Sequence, residues 1–531
     1  MIELLCIPCT SFILSLALTP LARSLALRYR LVDEPDGHRK LHGQDIPMAG
    51  GIAIFVAASA TLGLTLAVSP SFRSLFWLEY RLLCGLFLAS LLICAVGIAD
   101  DYGWLRGRHK LCGQTLAAAI VIAFGVEVQH IHLFGRNIEL GLLSLPFTAF
   151  LLLGAINSLN LLDGMDGFLS SVGFIICIGI AILAALGGHW MTSWIALALA
   201  GSILGFLRYN FPPASVFLGD AGSMLIGLVI GVLAIRSSLK GPATVGLAAP
   251  LALLTIPIFD TAAAIVRRKL TGRSLYTTDR GHLHHCLMRK GLSNRHALLL
   301  VGFMCLITAT GAMVSCLYNN EYLAILAAIF VVSSLVIARL FGHTEVTLVW
   351  KRLRALLASL LRPRSRKEAR EVEIRLQGSL NWKEVWSGLT ARAEQMHLRS
   401  VQLDVNAPLI GEGYHARWDS WLGIEEEEAL WRTEIPLMAQ ARTIGRVQVI
   451  GERDAVCVSE KVAVVAQMVK EIEAEILVLS AREIAGASKK KHHISLRNHL
   501  ANGKQVGDVD SAGHLILNGS GTPSCSESSR S

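Results

Sequence analysis

Four side chains able to grip a hard cation or a polar ligand recur at every third position in Asn157-Ser-Leu-Asn160-Leu-Leu-Asp163-Gly-Met-Asp166-Gly-Phe168. On a helix a step of three turns back about 60°, so all four would share roughly half the circumference. Gly164 and Gly167 predict that the helix breaks midway, where bare backbone can approach a ligand. The stretch closes one apolar run and opens another, which places it at a membrane boundary. An Asp at mid-bilayer costs about 2.5–3.5 kcal/mol on insertion scales, so two of them need a compensating role. Taken by itself, the segment reads equally well as a polar loop between two spans.

Similar groups recur along the chain. Asp100-Asp101 precede Arg106, Arg108 and Lys110, and Asn210 leads through two prolines to Phe217-Leu-Gly-Asp220-Ala-Gly-Ser223. Asp260 stands at a span edge before Asp279-Arg280-Gly-His282-Leu-His284-His285, and a mixed-charge stretch over 32–42 leads to Gly50-Gly51. Carboxylate and amide oxygens beside cations suit a substrate with a metal-bound diphosphate. The oxygens hold Mg²⁺, while cations and glycine-bounded backbone meet the remaining phosphate charge. Histidines in a loop rich in Arg and Lys suit phosphate or sugar binding better than zinc. Asp100 and Asp101 side by side repel, which either raises one toward the range of a base or ties both to a cation.

The elements that must position these groups are membrane spans. The 531 residues are 53% hydrophobic and 17% charged, with a mean hydropathy of +0.51. Such a balance excludes an ordinary soluble protein. The apolar content fills residues 1 to about 341 as roughly eleven spans, near 4–27, 49–68, 81–99, 111–127, 142–159, 168–187, 190–207, 222–236, 244–266, 297–316 and 321–341. The first lacks the basic start of a signal peptide and is expected to stay as an anchor. Cys6 and Cys9 have redox spacing but lie inside that span, without the βαβ context of a redox motif.

The net charge of +9 is membrane-orienting rather than nucleic-acid-binding. Arg28, Arg30, Arg39 and Lys40, then Arg106, Arg108 and Lys110, then 267–295, crowd alternate loops; the others carry scattered cations such as Arg73, Arg136 and Lys240. The basic loops are expected on the cytoplasmic side of the plasma membrane, with the N-terminus outside and the C-terminus inside. The polar groups above fall on that side, where neighbouring loops of a bundle converge.

In this order and on this side, Asp100-Asp101…Lys110, the 157–167 stretch, the 217–223 segment and the 279–285 loop resemble the polyprenyl-phosphate N-acetylhexosamine-1-phosphate transferase family. The similarity covers about residues 1–341, including the eleven-span layout. It implies transfer of a sugar-1-phosphate from a UDP-N-acetylhexosamine to a polyprenyl phosphate, undecaprenyl phosphate in bacteria, with release of UMP and dependence on Mg²⁺ or Mn²⁺. Carried over by motif, Asp220 would be the principal metal ligand and Asn160 a second. Asp100, with Asp101 beside it, would orient or deprotonate the lipid phosphate. Lys110, Arg280, His282, His284 and His285 would meet phosphate charge, and Asn157, Asp163, Asp166 and Asn210 would shape the pocket. The His-Leu-His-His pattern is similar to the branch that uses UDP-N-acetylglucosamine to start surface polysaccharides. The muramoyl-pentapeptide branch typically has three consecutive histidines followed by aromatic and acidic residues, whereas Leu283 interrupts the run here.

The expected fold is thus a polytopic α-helical membrane protein of about eleven transmembrane helices, followed by a cytoplasmic α+β extension and a disordered tail. The expected domains are a transferase domain over 1–341, a basic juxtamembrane linker over 342–370, a soluble α+β domain over 371–484 and a disordered end over 485–531. The linker's cations should lie along anionic headgroups. Strands are expected at 371–376, 400–405, 434–437 and 446–451, and helices at 382–395 and 459–482. That order fits a GAF- or PAS-like sensor, and equally a scaffold or a dimerisation module that would make the chain a homodimer. The four acids at 425–428 read as a solvated helix face. Two rivals from other classes are a transporter, whose acids would lie deep in spans and on both sides, and a membrane-anchored sensor working through its tail.

Overall fold

The computed structural model describes residues 2–33, 45–241, 244–270, 281–361, 370–377, 382–407, 412–420, 430–439, 442–452 and 462–474. Arg280, most of the 32–42 stretch, the cations at 362–367, the acids at 425–428 and the 485–531 tail lie outside these residues. The chain divides into two compact units, Met1–Arg364 and Ser365–Ser531.

The first unit is a helix bundle. Its long elements are α1 (Ile2–Arg28), α2 (Gly50–Val68), α3 (Pro70–Asp101), α4 (Gly107–Ala123), α5 (Ser144–Leu162), α6 (Phe168–Leu186), α7 (Trp190–Asn210) and α8 (Gly219–Ser237). After these come α9 (Ala248–Leu253), α10 (Thr255–Leu270), α11 (Leu283–Arg289), α12 (Asn294–Leu317), α13 (Glu321–Ile337) and α14 (His343–Leu361). Among the described residues eight helices are long and apolar enough to cross a membrane. The chain is a polytopic membrane protein. Helix α8 is the central one: 83% of its apolar window is buried, against 22% for α1.

Small residues let α8 sit there. A Cβ at Gly51 of α2 would collide with the backbone of Gly222, and one at Gly97 of α3 with the backbone of Ala221. Bare glycine faces allow helix backbones to touch where lipid offers no hydrophobic drive for association. Successive long helices run antiparallel, so the C-terminal ends of α1, α3, α5, α7 and α10 share one end with the N-terminal ends of α2, α4, α6, α8 and α12. At that end β1 (Val32–Asp33) pairs with β2 (Ile46–Pro47). Just beyond, the first N–H groups of α2 are satisfied from outside the helix: Gly50 and Gly51 donate to the carbonyls of Phe217 and Leu218, each at 3.0 Å.

The opposite end carries β3 (His130–Leu133), β4 (Arg136–Glu139), β5 (Leu239–Gly241) and β6 (Thr244–Gly246) in the order β4-β3-β6-β5. Acids occur there too, in structural pairs. Arg236 reaches Glu79 at 2.5 Å, His132 meets Glu321 at 2.8 Å, and the Ser144 hydroxyl donates to Glu127 at 2.5 Å.

Two spans differ from the sequence expectation. Helix α3 begins at Pro70, eleven residues before the expected 81–99. Arg73, Glu79 and Arg81 hide its first turns from a hydropathy window. Glu79 leaves helical geometry at φ −115°, ψ 23°, and finds its partner on α8. The expected span at 244–266 is broken into β6, α9 and α10. Pro257 lies in the first turn of α10, where a missing N–H costs nothing.

The second unit is a five-stranded antiparallel sheet of β7 (Arg370–Gln377), β8 (Leu398–Ala407), β9 (Glu412–Asp419), β10 (Leu430–Ala439) and β11 (Arg442–Glu452), in the order β10-β11-β8-β9-β7. Helix α15 (Trp382–Gln395) lays Trp382 and Trp386 into its core. A further helix over 462–474 adds Val465, Met468 and Ile472.

Candidate active site

The site is built on the N-terminus of α8. Gly219 has φ +73°, and a Cβ there would stand 2.7 Å from Asp101 Oδ2, so the turn and the close approach both require glycine. Asp101 accepts from the backbone N–H groups of Asp220 at 2.8 Å and Ala221 at 3.3 Å. A carboxylate here satisfies orphan donors and faces the positive end of the helix dipole. Both oxygens of Asp101 therefore position α8, leaving Asp100 as the one of the pair that faces the cation.

Lys110 Nζ lies 2.8 Å from Asp100 Oδ2 and 2.8 Å from Asp220 Oδ2. Asn160 Nδ2 donates to Asp220 Oδ1 at 2.6 Å and to Ser223 Oγ at 2.8 Å. Four elements thus fix one carboxylate: α8 carries it, α4 and α5 grip it, and α3 orients its helix. Asn157, one turn back on α5, donates instead to Gln114 Oε1 at 2.9 Å. Gln114, buried one turn after Lys110, was missed in the sequence; its spacing of four from that lysine is the signal that could have found it.

Helix α5 ends at Leu162, and the polar stretch turns as its glycines require, with Gly167 at φ +70°. Two predicted pocket residues, Asp166 in the turn and Asn210 at the end of α7, act as pins. Asp166 accepts from Ala214 N–H at 3.0 Å. Buried Asn210 accepts from Gly167 N–H at 3.1 Å and Ser170 Oγ at 2.8 Å, and donates to Val216 O at 3.0 Å. They hold the turn against the 211–216 loop.

Asp163 differs from its neighbours. Among the described residues its half-buried carboxylate has no hydrogen-bond partner. Burial, then the charges of Asp220, Asp101 and Asp166, hold it well above the usual carboxylate range. The folded chain then keeps a proton that unfolded Asp loses near pH 4, so stability falls as pH rises toward the elevated value. A bound cation would replace that proton. Mg²⁺ is therefore expected to raise the thermal unfolding midpoint more at pH 8 than at pH 5, and Asp163→Asn to level the two; an equal effect in the unmodified chain would contradict this.

The histidine turn closes the other side. His282 Nδ1 lies 2.9 Å from Asp260 Oδ2, and Leu283 N–H donates to Asp260 Oδ1 at 2.8 Å. One buried carboxylate thus caps α11 and fixes the His282 ring. His284 packs against Gly164, where a Cβ would collide with its ring, and lies 5.9 Å from Phe168 and 4.2 Å from His285 between ring centres. Burial, then His285 and His282, hold its pKa well below the usual histidine value, and among the described residues both its buried ring nitrogens lack a partner. Arg267, against which Gly281 packs, is ion-paired with Glu345 of α14.

Asp260→Asn keeps an oxygen for the cap but turns the second group into a donor, forcing the His282 proton from Nδ1 to Nε2. Turnover is expected to fall about tenfold or more, with the thermal midpoint unchanged. Unchanged turnover would reduce Asp260 to a cap.

The donor set fits a hard cation. Among the described residues Lys110 is the one lysine paired with Asp100 and Asp220, and Asp163 has no hydrogen-bond partner. Among the described residues no three His, Cys, Asp or Glu side chains already form a ligand cluster. Mg²⁺ needs none, because it keeps waters and takes one or two carboxylates together with substrate phosphates. Asn160 turns its nitrogen to Asp220 and leaves its oxygen for a ligand.

Fold and site together define a polytopic membrane protein whose acids, one lysine and histidines converge at one end of the bundle, the chemistry of a phosphoryl-transfer site. The model of glycosyl transferase family 4 matches residues 83–238, which hold Asp100, Lys110, the 157–167 stretch and Asp220. The chain is 30% identical over 325 residues to the "Probable undecaprenyl-phosphate N-acetylglucosaminyl 1-phosphate transferase" of Bacillus subtilis, covering 60% of this chain and 88% of that protein. It is 31% identical over 360 residues to the decaprenyl-phosphate N-acetylglucosaminephosphotransferase of Mycolicibacterium smegmatis, covering 63% and 87%. Over 288 residues it is 27% identical to the undecaprenyl-phosphate alpha-N-acetylglucosaminyl 1-phosphate transferase of Escherichia coli K12, covering 53% and 75%. The chain belongs to glycosyl transferase family 4.

Proposed function

We propose that this enzyme transfers N-acetylglucosamine-1-phosphate from UDP-N-acetylglucosamine to undecaprenyl phosphate, releasing UMP and starting a lipid-linked surface polysaccharide. The observation that carries the reading is Lys110 held between Asp100 and Asp220 at the capped end of α8, inside the segment that matches the family. An oxygen of the lipid phosphate attacks the β-phosphorus of the donor. The bond from that phosphorus to the bridging oxygen breaks, and UMP leaves with the oxygen. Asp100 orients the acceptor phosphate and takes its proton if it arrives protonated. Lys110 offsets the phosphate charge, and His282, fixed by Asp260, faces the donor's phosphates together with His284 and His285. A bound Mg²⁺ or Mn²⁺ would neutralise the diphosphate. Asp220, the Asn160 oxygen and Asp163 would hold it.

The site end of the bundle is cytoplasmic in this reading, because basic residues crowd its loops. Helices α4 and α13 and the α9–α10 pair cross with the eight longer helices, making eleven spans. The sheet unit is a cytoplasmic domain after the transferase. Purified full-length protein given UDP-N-acetylglucosamine, undecaprenyl phosphate and Mg²⁺ is expected to release UMP. Release only with another UDP-N-acetylhexosamine would correct the sugar, and none with any would overturn the function.

A further inference from the structure

Helix α14 begins six residues after α13 ends, at the end of the bundle that holds the site. One edge of it is buried: Glu345 and Leu348 face inward, and Glu345 is paired with Arg267 of α10. A different face is apolar and bare. Val346, Val349, Trp350, Leu353 and Leu357 are between 43% and 52% exposed. At about 100° per residue these five fall within roughly 100° of the circumference. Exposed Arg352 and Arg354 lie on either side of that stripe, and the Arg354 guanidinium sits 5.0 Å over the Trp350 ring. A continuous apolar stripe of this kind has no reason to face water.

We propose that α14 is an interfacial helix whose apolar stripe seats in the acyl-chain boundary of an anionic leaflet, and that this seating steadies the histidine turn. Three observations favour a lipid surface as the occupant. The stripe follows directly on α13, whose Leu326, Ile329, Phe330 and Ile337 are exposed as lipid-facing residues are. Cations flank it on both sides, the arrangement that meets phosphate headgroups while the apolar face is buried. Trp350, an amphipathic ring under a guanidinium, suits the headgroup boundary. The link to the site is the buried Arg267–Glu345 pair: Gly281, next to His282, packs on the same Arg267 guanidinium. The inference rests on placing this end of the bundle at a headgroup layer, as the proposed function does.

The test uses the full chain in nanodiscs of phosphatidylcholine, with or without phosphatidylglycerol. Acyl chains brominated near the headgroup should quench the Trp350 fluorescence, taken as the difference between the unmodified protein and Trp350→Phe, more than chains brominated near the methyl end. UMP release should rise several-fold with phosphatidylglycerol, and Arg352→Glu with Arg354→Glu should flatten that rise. Trp350 quenched by aqueous acrylamide and not by brominated lipid would overturn the seating, whether or not the enzyme turns over. Lipid quenching with a lipid-independent rate would overturn the link to the histidine turn.

Discussion

Asp220→Ala is expected to lower UMP release about 10³-fold or more, the scale of losing a group that acts on charge in the transition state. It should do so without unfolding the protein. The cap on α8 runs from Asp101 to the backbone N–H groups of Asp220 and Ala221, which alanine retains. Lys110 keeps its bond to Asp100, so no carboxylate is stranded. An unchanged thermal midpoint with turnover lost is the expected pair of results. Turnover within tenfold of the unmodified enzyme would remove Asp220 from the centre of the site.

Lys110→Ala should cost both activity and stability, which separates it from the first variant. It leaves Asp100 and Asp220 facing each other without the cation that stands 2.8 Å from each. Breaking a fully buried pair costs about 3–5 kcal/mol and an exposed one under about 1; with the Lys110 and Asp100 side chains 17% and 16% exposed, about 2–3 kcal/mol is expected. The deficit should shrink when Mg²⁺ is added, because a divalent cation can take over part of the lysine's task. Calorimetry of the purified variant with and without Mg²⁺ reads this directly. A variant as stable as the parent in the absence of divalent cations would show the three charges to be independently solvated.

The sequence made the bundle legible where a helix is apolar throughout, because lipid demands that signal. It failed where a polar group was satisfied by a distant partner. Glu79 hides the start of α3 until Arg236 is seen beside it. Strand β9 escaped notice because His415 looks out of place in a strand core, yet its ring lies 2.5 Å from Asp404 on β8. In the site, the structure brings Asp100, Lys110, Asn160 and Asp220 together, but residue types and order did not foretell which partner each side chain takes. Asp100 and Asp101 are indistinguishable in sequence; only the position of α8 makes one a cap and leaves the other facing Lys110. Asn210 and Asp166 read as pocket residues, and their hydrogen bonds pin the turn to the 211–216 loop, which the motif does not foretell because a side chain's partner is set by tertiary contact. Asp260, visible only as an acid at a membrane edge, gains its meaning from His282, twenty-two residues away.

The most direct test of the account follows the β-phosphate of the donor. Purified enzyme is given UDP-N-acetylglucosamine carrying label only in that phosphate, together with undecaprenyl phosphate and Mg²⁺. Sugar-1-phosphate transfer predicts that the label enters the lipid fraction in step with the release of unlabelled UMP. Label recovered in UDP or in free phosphate, with none in the lipid, would contradict it.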